Sequence, residues 1–558
     1  MKFSEIQYVR PDFPKLAQGI KKFMSDFSMA KTYADARALY MHLCKELDDM
    51  GMMVTVAHIR STLDTRDEFY QNEMTYFFEE DPKLELILKD ANALLLASPF
   101  KADFEKEFGP DFIKGMEAQQ KLADESVVEE KIEESKLVQE YNATVASCST
   151  TFRGEECNFY GLLKHMLSTD REERKDAFLA WANLYESVSE KLDGYYDRLV
   201  LLRKTMAKKL GFKNYVEMAY LLNGHYYYGA DEVASFRKQV VDVIVPLAAK
   251  LYEEQKKRLG VDSLRYYDEQ LCYPDGNASP IGDKDYLVKS AHEMYRAISK
   301  ETGEFFDLMV ERELFDLETK PGKQLGGYCT FIPVYNAPFI FSNFNGSSAD
   351  VDVLTHEAGH AFQAFTSAKF VPLSSLIWST SEISEIHSMS MEHFAYPYMD
   401  KFFGDKADKY RYAHLSESVK CMPYLCLVDH FQHEVFNHDY TAKERRACWK
   451  RLEKIYLPWR DYDGNAFLEE GGFWMQKPHI FASPFYYVDY ALAQTGAFEY
   501  YARMKENRAE AWKDYYRLCT VGGSKSYFET LKVGNLSNPF EQGTVEKVVK
   551  PVREELLK

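Results

Sequence analysis

Apolar residues recur at helical spacing along most of this 558-residue chain, and this periodicity restricts the fold more than any other feature of the sequence. In the segment STDREERKDAFLAWANLYESVSEKL, the side chains of Phe178, Trp181 and Tyr185 fall on one face of an α-helix. Thr169 is placed to cap that helix, and Glu172 stands three residues later, as in a capping box. Similar patterns occur in KTYADARALYMHLCKEL and RLVLLRKTMAKKLGF. We therefore predict a mostly α-helical protein.

One segment, GGYCTFIPVYNAPFIFSNFNGSS, departs from the helical pattern. It is rich in β-branched and aromatic residues and is interrupted by Gly, Pro and Asn, which is typical of short strands joined by turns. We expect a hairpin or small sheet here, with a turn near Asn336 to Pro338. The segment ends directly before a helical motif, DVLTHEAGHAFQAF, that contains two histidines.

The length of the chain exceeds the usual size of one domain, so two or more domains are expected. The sequence contains no repeat of fixed period and no linker rich in Pro, Gly or Ser. We place a boundary near residue 190. It divides an N-terminal helical domain (1–190) from a C-terminal domain (191–558) that carries the chemistry.

Charge and cysteine usage narrow the functional classes. The formal net charge is −18 and the pI is about 5.4, so the chain repels phosphate backbones and we expect no nucleic-acid partner. The nine cysteines are scattered and form no CxxC pair, which disfavours a disulfide framework. The N-terminal segment MKFSEIQYVRPDF lacks the apolar core of a signal peptide, and no apolar run is long enough for a membrane span. We expect a cytoplasmic protein with reduced thiols and no membrane partner.

The motif THEAGH has the H-E-x-x-H pattern of zinc peptidases. Residues four apart lie on one face of a helix, so His356 and His360 can bind one metal ion. Glu357 lies about 100° around the helix from His356, where it can reach a water without binding the metal. Gly359 is unfavourable in a helix interior by about 1 kcal/mol, and the close approach of another helix would explain it. The alternative is a partly buried helix that carries two structural histidines.

A third ligand must come from elsewhere in the chain. The metzincin extension is excluded, because Gln363 and Thr366 stand where that motif requires Gly and His. The later segment WSTSEISEIHSMSMEHF supplies Glu382, Glu385, His387, Glu392 and His393. Glu385 and Glu392 are seven residues apart and therefore share one helix face. One of them can bind zinc while the other orients a ligand imidazole.

The H-E-x-x-H motif, followed 25 residues after its second histidine by the segment EIHSMSME, resembles the M3 family of zinc oligopeptidases. This is the group of thimet oligopeptidase and oligoendopeptidase F. The segments LLRKTMAKKLGFKNYVEMAYLLN and KPHIFASPFYYVDYALAQTGA are also similar to that family, so the resemblance covers roughly residues 190 to 540. The short, glycine-free IFASPF brings the chain closest to the bacterial oligoendopeptidase F branch. The resemblance implies that Glu385 is the third zinc ligand and that Glu392 supports a ligand imidazole.

The resemblance further implies an activity. The chain is expected to be a zinc-dependent endopeptidase, with one Zn²⁺ per chain, that hydrolyses internal bonds of short peptides. Glu357 would act as general base on a water activated by zinc. Tyr490, with Tyr487 or His479, would stabilise the oxyanion. From the residues alone, the tyrosine-rich segment would be interpreted as a core helix.

The fold that the resemblance implies is a mostly α-helical, two-lobed body with a deep central channel and a small β-sheet beside the zinc site. An extended peptide could add to the edge of that sheet. Tyr486, Gly327 and Tyr328 are candidate substrate-binding residues. Two alternatives stay open: a helical metallocarboxypeptidase, for which no feature identifies a group that holds a C-terminal carboxylate, and a non-catalytic peptide-binding protein, against which the intact Glu357 argues.

Overall fold

The computed structural model describes residues 1–320, 322–324 and 326–558. Helices account for 72% of the protein, and the sheets have only two and three strands, which confirms the predicted mostly α-helical class. None of the helices in these ranges is both long and apolar enough to cross a bilayer.

The helices are α1 (Phe13–Ser28), α2 (Tyr33–Leu63), α3 (Glu68–Ala97), α4 (Lys101–Phe108), α5 (Pro110–Leu122), α6 (Val128–Ala146), α7 (Phe159–His165), α8 (Arg171–Lys209), α9 (Tyr215–Leu222), α10 (Ala230–Gln239), α11 (Val245–Leu259), α12 (Lys284–Ile298), α13 (Lys300–Glu311), α14 (Ala349–Ser367), α15 (Ser381–Ala395), α16 (Asp400–Phe403), α17 (Ala407–Asn437), α18 (Ala442–Tyr456), α19 (Ala466–Glu469), α20 (Pro478–Ala482), α21 (Tyr487–Thr520), α22 (Tyr527–Val533) and α23 (Thr544–Leu556). The strands are β1 (Thr150–Phe152), β2 (Glu155–Cys157), β3 (Phe315–Glu318), β4 (Tyr328–Ile332) and β5 (Ala337–Phe344). Short 3₁₀ turns join several of these elements.

The chain forms two compact units, each built from three separate stretches. The first unit contains Met1–Val128, Ser279–Ala407 and Glu499–Ser537, and the second contains Glu129–Ala278, Asp408–Phe498 and Asn538–Lys558. The predicted boundary near residue 190 lies inside α8 and stays a prediction.

The first unit has a core of aromatic and aliphatic side chains from α1 to α5. On α1, Leu16, Ile20, Phe23 and Phe27 recur at spacings of three and four residues, and all four are buried in this core. The carboxylate of Asp12 caps the same helix by accepting a hydrogen bond from the Lys15 amide at 2.9 Å. An amphipathic pattern with a polar cap thus explains both where α1 begins and which face it buries.

In the second unit, α8 confirms the apolar face predicted from the sequence, because Phe178, Trp181 and Tyr185 are buried. The predicted cap was wrong by one residue. The helix begins at Arg171, and the Asp170 carboxylate accepts a hydrogen bond from the Glu172 amide at 3.0 Å. A carboxylate at this position satisfies a free amide of the first turn and also complements the helix dipole, which a Thr169 hydroxyl would do less strongly.

The three-stranded sheet of the first unit has the order β3-β5-β4. Strands β4 and β5 form the predicted hairpin, paired from Tyr328 opposite Phe341 to Ile332 opposite Ala337. The turn comprises residues 333–336, slightly before the predicted position, and it ends on Asn336 with a φ of 53°. Asn tolerates this left-handed conformation, whereas the proline at position 338 lies within β5. Strand β3 adds parallel to β5 on the other side, so β4 lies at an edge of the sheet.

Candidate active site

The site forms where α14 and α15 pack against each other in the first unit. Their closest approach is at Gly359, where a Cβ atom would lie 2.6 Å from the Cα of Ser388 and 2.8 Å from the carbonyl oxygen of His387. Backbone atoms of α15 therefore occupy the space that any side chain at position 359 would need. The close approach of another helix, predicted from the sequence, thus explains the glycine at position 359.

The close contact brings three side chains to one point. Nε2 of His356 lies 3.2 Å from Oε2 of Glu385, and Nε2 of His360 lies 3.4 Å from the same oxygen. The two imidazole rings are 5.0 Å apart between centroids and nearly perpendicular, at 82°. One donor atom from each of the three residues lies within 4.8 Å of the others. Two imidazoles and one carboxylate at this spacing can hold a single metal ion.

Glu392 lies behind the first histidine. Its Oε1 accepts a hydrogen bond from Nδ1–H of His356 at 2.6 Å. With Nδ1–H bonded to Glu392, Nε2 is the nitrogen that faces Glu385, and it can bind a metal ion once it has lost its proton. The structure thus places the carboxylates of Glu385 and Glu392 beside the two different nitrogens of the His356 imidazole.

The charges of this group are strongly coupled. Burial opposes the ionised form of Glu385, but the charge of His360 and the hydrogen bonds from both imidazoles outweigh it and hold the pKa of Glu385 well below its usual value. Burial likewise opposes the charge on His356, yet hydrogen bonds to Glu385 and Glu392 raise the pKa of this imidazole well above its usual value. A carboxylate that stays ionised in a buried place is suited to bind a cation.

Glu357 differs from the other carboxylates of the site. Its side chain is 7% exposed, and its Oε2 has no hydrogen-bond partner among the described residues. Burial raises the pKa of this carboxyl, although the charges of His356 and His360 oppose the rise. A buried carboxylate with a free oxygen beside a metal-binding group is suited to accept a proton.

Strand β4 flanks α14 on the side of Glu357. A Cβ atom at Gly327 would lie 3.3 Å from Cγ1 of Val353 and 3.6 Å from Oε1 of Glu357, so the strand begins directly beside that carboxylate. The next residue, Tyr328, has its hydroxyl 2.7 Å from Oγ1 of Thr62 on α2. The Tyr328 ring also stacks on Phe341 at 4.8 Å. The hydroxyl of Tyr328 is therefore bonded within the protein, whereas Gly327 borders the site.

Two residues at the site were missed by the sequence reasoning. Cys329 lies on β4 two residues after Gly327, and burial, with a smaller effect of the charge of Glu357, raises the pKa of its thiol well above its usual value. The period of two along β4 would have predicted it from Gly327. Trp378, in the loop before α15, has its ring 6.5 Å from that of His360. No spacing rule connects a loop residue with a helix, so only the fold reveals this neighbour.

The two histidines of α15 lie in the core of the first unit. His387 is fully buried, and burial lowers the pKa of its imidazole to about 3. Its backbone oxygen accepts a hydrogen bond from the Tyr515 hydroxyl at 2.9 Å. His393 is 1% exposed and packs its ring against Tyr396 and Tyr501. Both imidazoles are therefore buried inside the first unit.

In the second unit, the structure brings the four predicted residues of the HIFASPFYYVDY segment into one aromatic group. The ring of His479 lies 4.9 Å from that of Tyr487, 6.1 Å from Tyr486 and 6.3 Å from Tyr490. Tyr490 is 5.6 Å from Tyr487 and 5.4 Å from Tyr486. All four side chains are half-buried, and the ammonium group of Lys477 lies 4.8 Å from the centre of the Tyr487 ring. The group can therefore present several hydroxyls and an imidazole together.

A helical fold with an H-E-x-x-H helix packed on a carboxylate-bearing helix defines a class, the helical metallopeptidases. Comparison with known proteins identifies the family within that class. The chain belongs to peptidase family M3: the family model for the M3 N-terminal domain matches residues 3–123, and the model for peptidase family M3 matches residues 164–273 and 291–549. The N-terminal part, for which the sequence predicted only a helical structure, thus also belongs to the family.

Individual relatives agree with this assignment. An oligoendopeptidase F homolog of Borreliella burgdorferi is 24% identical over 458 residues, which cover 77% of this chain and 75% of that protein. Among solved structures, PZ peptidase A with an inhibitor is 44% identical and has a TM-score of 0.97, with 100% of this chain and 99% of that chain covered. A protein of Bacillus anthracis, provisionally named oligoendopeptidase F, is 40% identical with a TM-score of 0.91 and coverage of 100% and 98%. The predicted membership in the oligoendopeptidase F group of family M3 is confirmed, and the chain is a peptidase.

Proposed function

We propose that this chain is a zinc-dependent endopeptidase that cleaves internal bonds of short peptides. The observation that supports this most strongly is the convergence of His356, His360 and Glu385. Beside them on α14, Oε2 of Glu357 is buried and has no hydrogen-bond partner in the part of the chain that the structure describes. Two imidazole nitrogens and one carboxylate are a common donor set of catalytic zinc. The hydrogen bond from His356 to Glu392 adds the support that such ligands usually have. The residues present therefore fit one zinc ion per chain.

Zinc, when bound there, supplies a Lewis acid that polarises the scissile carbonyl and makes water more acidic. Glu357 accepts the proton of the attacking water at its free oxygen and delivers it to the leaving amine. The burial that raises the pKa of Glu357 favours the first of these steps. Glu392 keeps the proton on Nδ1 of His356 and so fixes that ring in one orientation.

The oxyanion that develops during attack needs hydrogen-bond donors. In this proposal, Tyr490 donates the main hydrogen bond, with help from Tyr487 or His479. The close packing of the three rings in one half-buried group supports a shared role. Tyr486 contributes to the binding of substrate.

Recognition of the peptide backbone fits the edge position of β4. An extended peptide can add to an edge strand by main-chain hydrogen bonds, which accommodates many side chains. Because Gly327 carries no side chain, the start of β4 can lie directly beside Val353 and Glu357, which brings this strand next to the proposed base. The predicted central channel and cytoplasmic location belong to the same proposal, because an extended short peptide reaches a recessed site without the local unfolding that a folded protein requires.

The test uses the purified protein, zinc analysis and fluorogenic peptides that are blocked at both ends. Glu357→Gln should bind zinc at the wild-type stoichiometry, because Glu357 is not a ligand, and kcat should fall by about 100-fold to 10,000-fold. Asp352→Asn removes one carboxylate charge from the first turn of the same helix and should change kcat only a few-fold. A zinc-loaded Glu357→Gln protein with the wild-type rate would refute the proposed mechanism. Cleavage restricted to peptides with a free C-terminus would favour a carboxypeptidase instead.

A further inference from the structure

Trp378 lies in the loop between α14 and α15, and buried hydrogen bonds hold its backbone in place. The carbonyl oxygen of the preceding residue, Ile377, accepts hydrogen bonds from Nε2 of Gln363 and Oγ of Ser367, both at 2.7 Å. These two polar side chains of α14 are fully buried. The helix that carries the histidines therefore fixes the position of Trp378 directly.

A glycine pair in the first unit fixes the same segment from the other side. The amide of Gly523 donates to the carbonyl oxygen of Leu376 at 2.8 Å, and Oγ of Ser379 donates to the carbonyl oxygen of Gly522 at 2.7 Å. A Cβ atom at Gly522 would lie 2.1 Å from the Leu376 oxygen, and one at Gly523 would lie 2.7 Å from the Trp378 oxygen. Only glycines permit this contact, so the loop is held rigidly on both sides.

The indole is placed where it can serve as a wall of the site. One part of it packs against a small apolar cluster formed by Phe331, Ala364 and Ile377. The side chain as a whole is only half-buried. Its ring lies 6.5 Å from the imidazole of His360, at an angle of 71°. An accessible aromatic surface thus stands next to a proposed zinc ligand, on a backbone that is already ordered.

This surface lies at the opposite end of α14 from Gly327. Gly327 borders Val353 and Glu357 near the start of the motif, whereas the cluster under Trp378 includes Ala364 and lies beyond His360. Strand β4 runs between these two places, because it begins directly after Gly327 and carries Phe331 of the cluster under Trp378, so a peptide paired with β4 would pass both. The two ends therefore offer different environments to substrate side chains, one without a side chain and one apolar.

We propose that Trp378 is a specificity-determining residue that contacts the substrate side chain next to the cleaved bond, on one side of that bond only. This inference rests on the proposed peptidase function. An indole provides a large, rigid apolar area, so the position should favour an aromatic or large aliphatic side chain over Gly. Preordering of the loop by Gln363, Ser367 and the glycine pair reduces the entropy lost on binding.

The first experiment measures kcat/KM for doubly blocked peptides in which each residue flanking the cleaved bond is varied among Gly, Leu, Phe and Asp. Wild-type protein should prefer Phe over Gly at one of the two positions by about 10-fold or more, a range typical of an apolar pocket. Trp378→Ala should lose most of this preference and keep the kcat/KM of the Gly peptide within about threefold. Trp378→Phe should retain part of the preference. Trp512→Phe, which alters a tryptophan packed on the Phe362 side of α14, is the matched control and should retain it all.

The second experiment separates contact from catalysis. Zinc-loaded Glu357→Gln protein is titrated with the doubly blocked peptide that carries Phe at the preferred position, while tryptophan fluorescence is recorded. The change in fluorescence on adding peptide should disappear in the Glu357→Gln/Trp378→Phe double variant. It should persist in the Glu357→Gln/Trp512→Phe double variant. Equal loss of kcat/KM on all peptides, or an unchanged preference in Trp378→Ala, would overturn the inference while leaving the proposed function intact. A wild-type protein that cleaves none of the peptides refutes the proposed function, and the fluorescence titration then decides by itself whether Trp378 contacts peptide.

Discussion

Substitution of Gly359 by Ala tests the packing that assembles the site. In the structure, the new methyl carbon would lie 2.6 Å from the Cα of Ser388, 2.8 Å from the oxygen of His387 and 3.0 Å from the Cβ of Met391. Two of these atoms belong to the backbone and the third is attached to it, so no side-chain rotation relieves the overlap. The helices must separate by several tenths of an ångström or more, since ordinary contacts of this type begin near 3.4 Å.

The size of the effect follows from two opposing contributions. Alanine favours a helix interior over glycine by about 1 kcal/mol. Overpacking of a well-filled core costs about 1–3 kcal/mol, and an overlap with backbone on the opposing helix belongs at the upper end of that range. We therefore expect a net loss of about 1–2 kcal/mol in the free energy of unfolding. Zinc affinity should also fall, because separation of the two helices moves Glu385 on α15 away from both histidines on α14.

The assay is chemical denaturation of the metal-free protein, together with competition titration of zinc against a chelator of known affinity. Gly194→Ala provides the matched control, because Gly194 also lies inside a helix but has no atom within 4 Å of the position that a Cβ would take. That variant should gain about 0.5–1 kcal/mol from helix propensity and bind zinc normally. A Gly359→Ala protein as stable as Gly194→Ala, with unchanged zinc affinity, would refute the conclusion that this glycine sets the distance between the two helices.

Three further predictions concern individual side chains. Glu385→Ala should lose most of its bound zinc, whereas Glu382→Gln should keep it; the reverse result by metal analysis would make Glu382 the ligand. Glu392→Gln should weaken zinc binding by about 10-fold to 100-fold, because the amide supports the His356 tautomer less well than a carboxylate does; equal affinity in the chelator titration would contradict this role. Tyr490→Phe should lower kcat by about 100-fold with little change in KM, as expected for a bond formed mainly in the transition state; a raised KM with normal kcat would make Tyr490 a binding residue.

Local sequence patterns were enough to predict the main features of the fold. The helical class and the apolar face of α8 follow from spacings of three to four residues, the hairpin of β4 and β5 follows from β-branched and aromatic residues interrupted by turn residues, and the structure confirms all three. Details at the ends of elements were less accurate. Several neighbouring polar residues could accept the same amide hydrogen bond at the start of α8. Asp170 does so instead of Thr169, because the choice depends on where the chain enters the helix.

Within the candidate site, the sequence by itself determined which side chains share a helix face. The spacing of four places His356 and His360 together, and the spacing of seven places Glu385 and Glu392 together. It left open which carboxylate meets which nitrogen. Only the crossing of α14 and α15 decided that Glu385 faces both Nε2 atoms while Glu392 meets Nδ1 of His356, because this depends on the rotation of one helix against the other.

The tertiary structure alone decided which residues outside the motif border the site. Trp378 is 18 residues from His360 in the chain, and Gly327 is 30 residues before Glu357, yet both stand beside these side chains in space. A period in the sequence describes neighbours within one helix or strand, since it arises from the geometry of that element. Contacts between elements arise from how their surfaces fit, and at Gly359 that fit depends on the absence of a single methyl group.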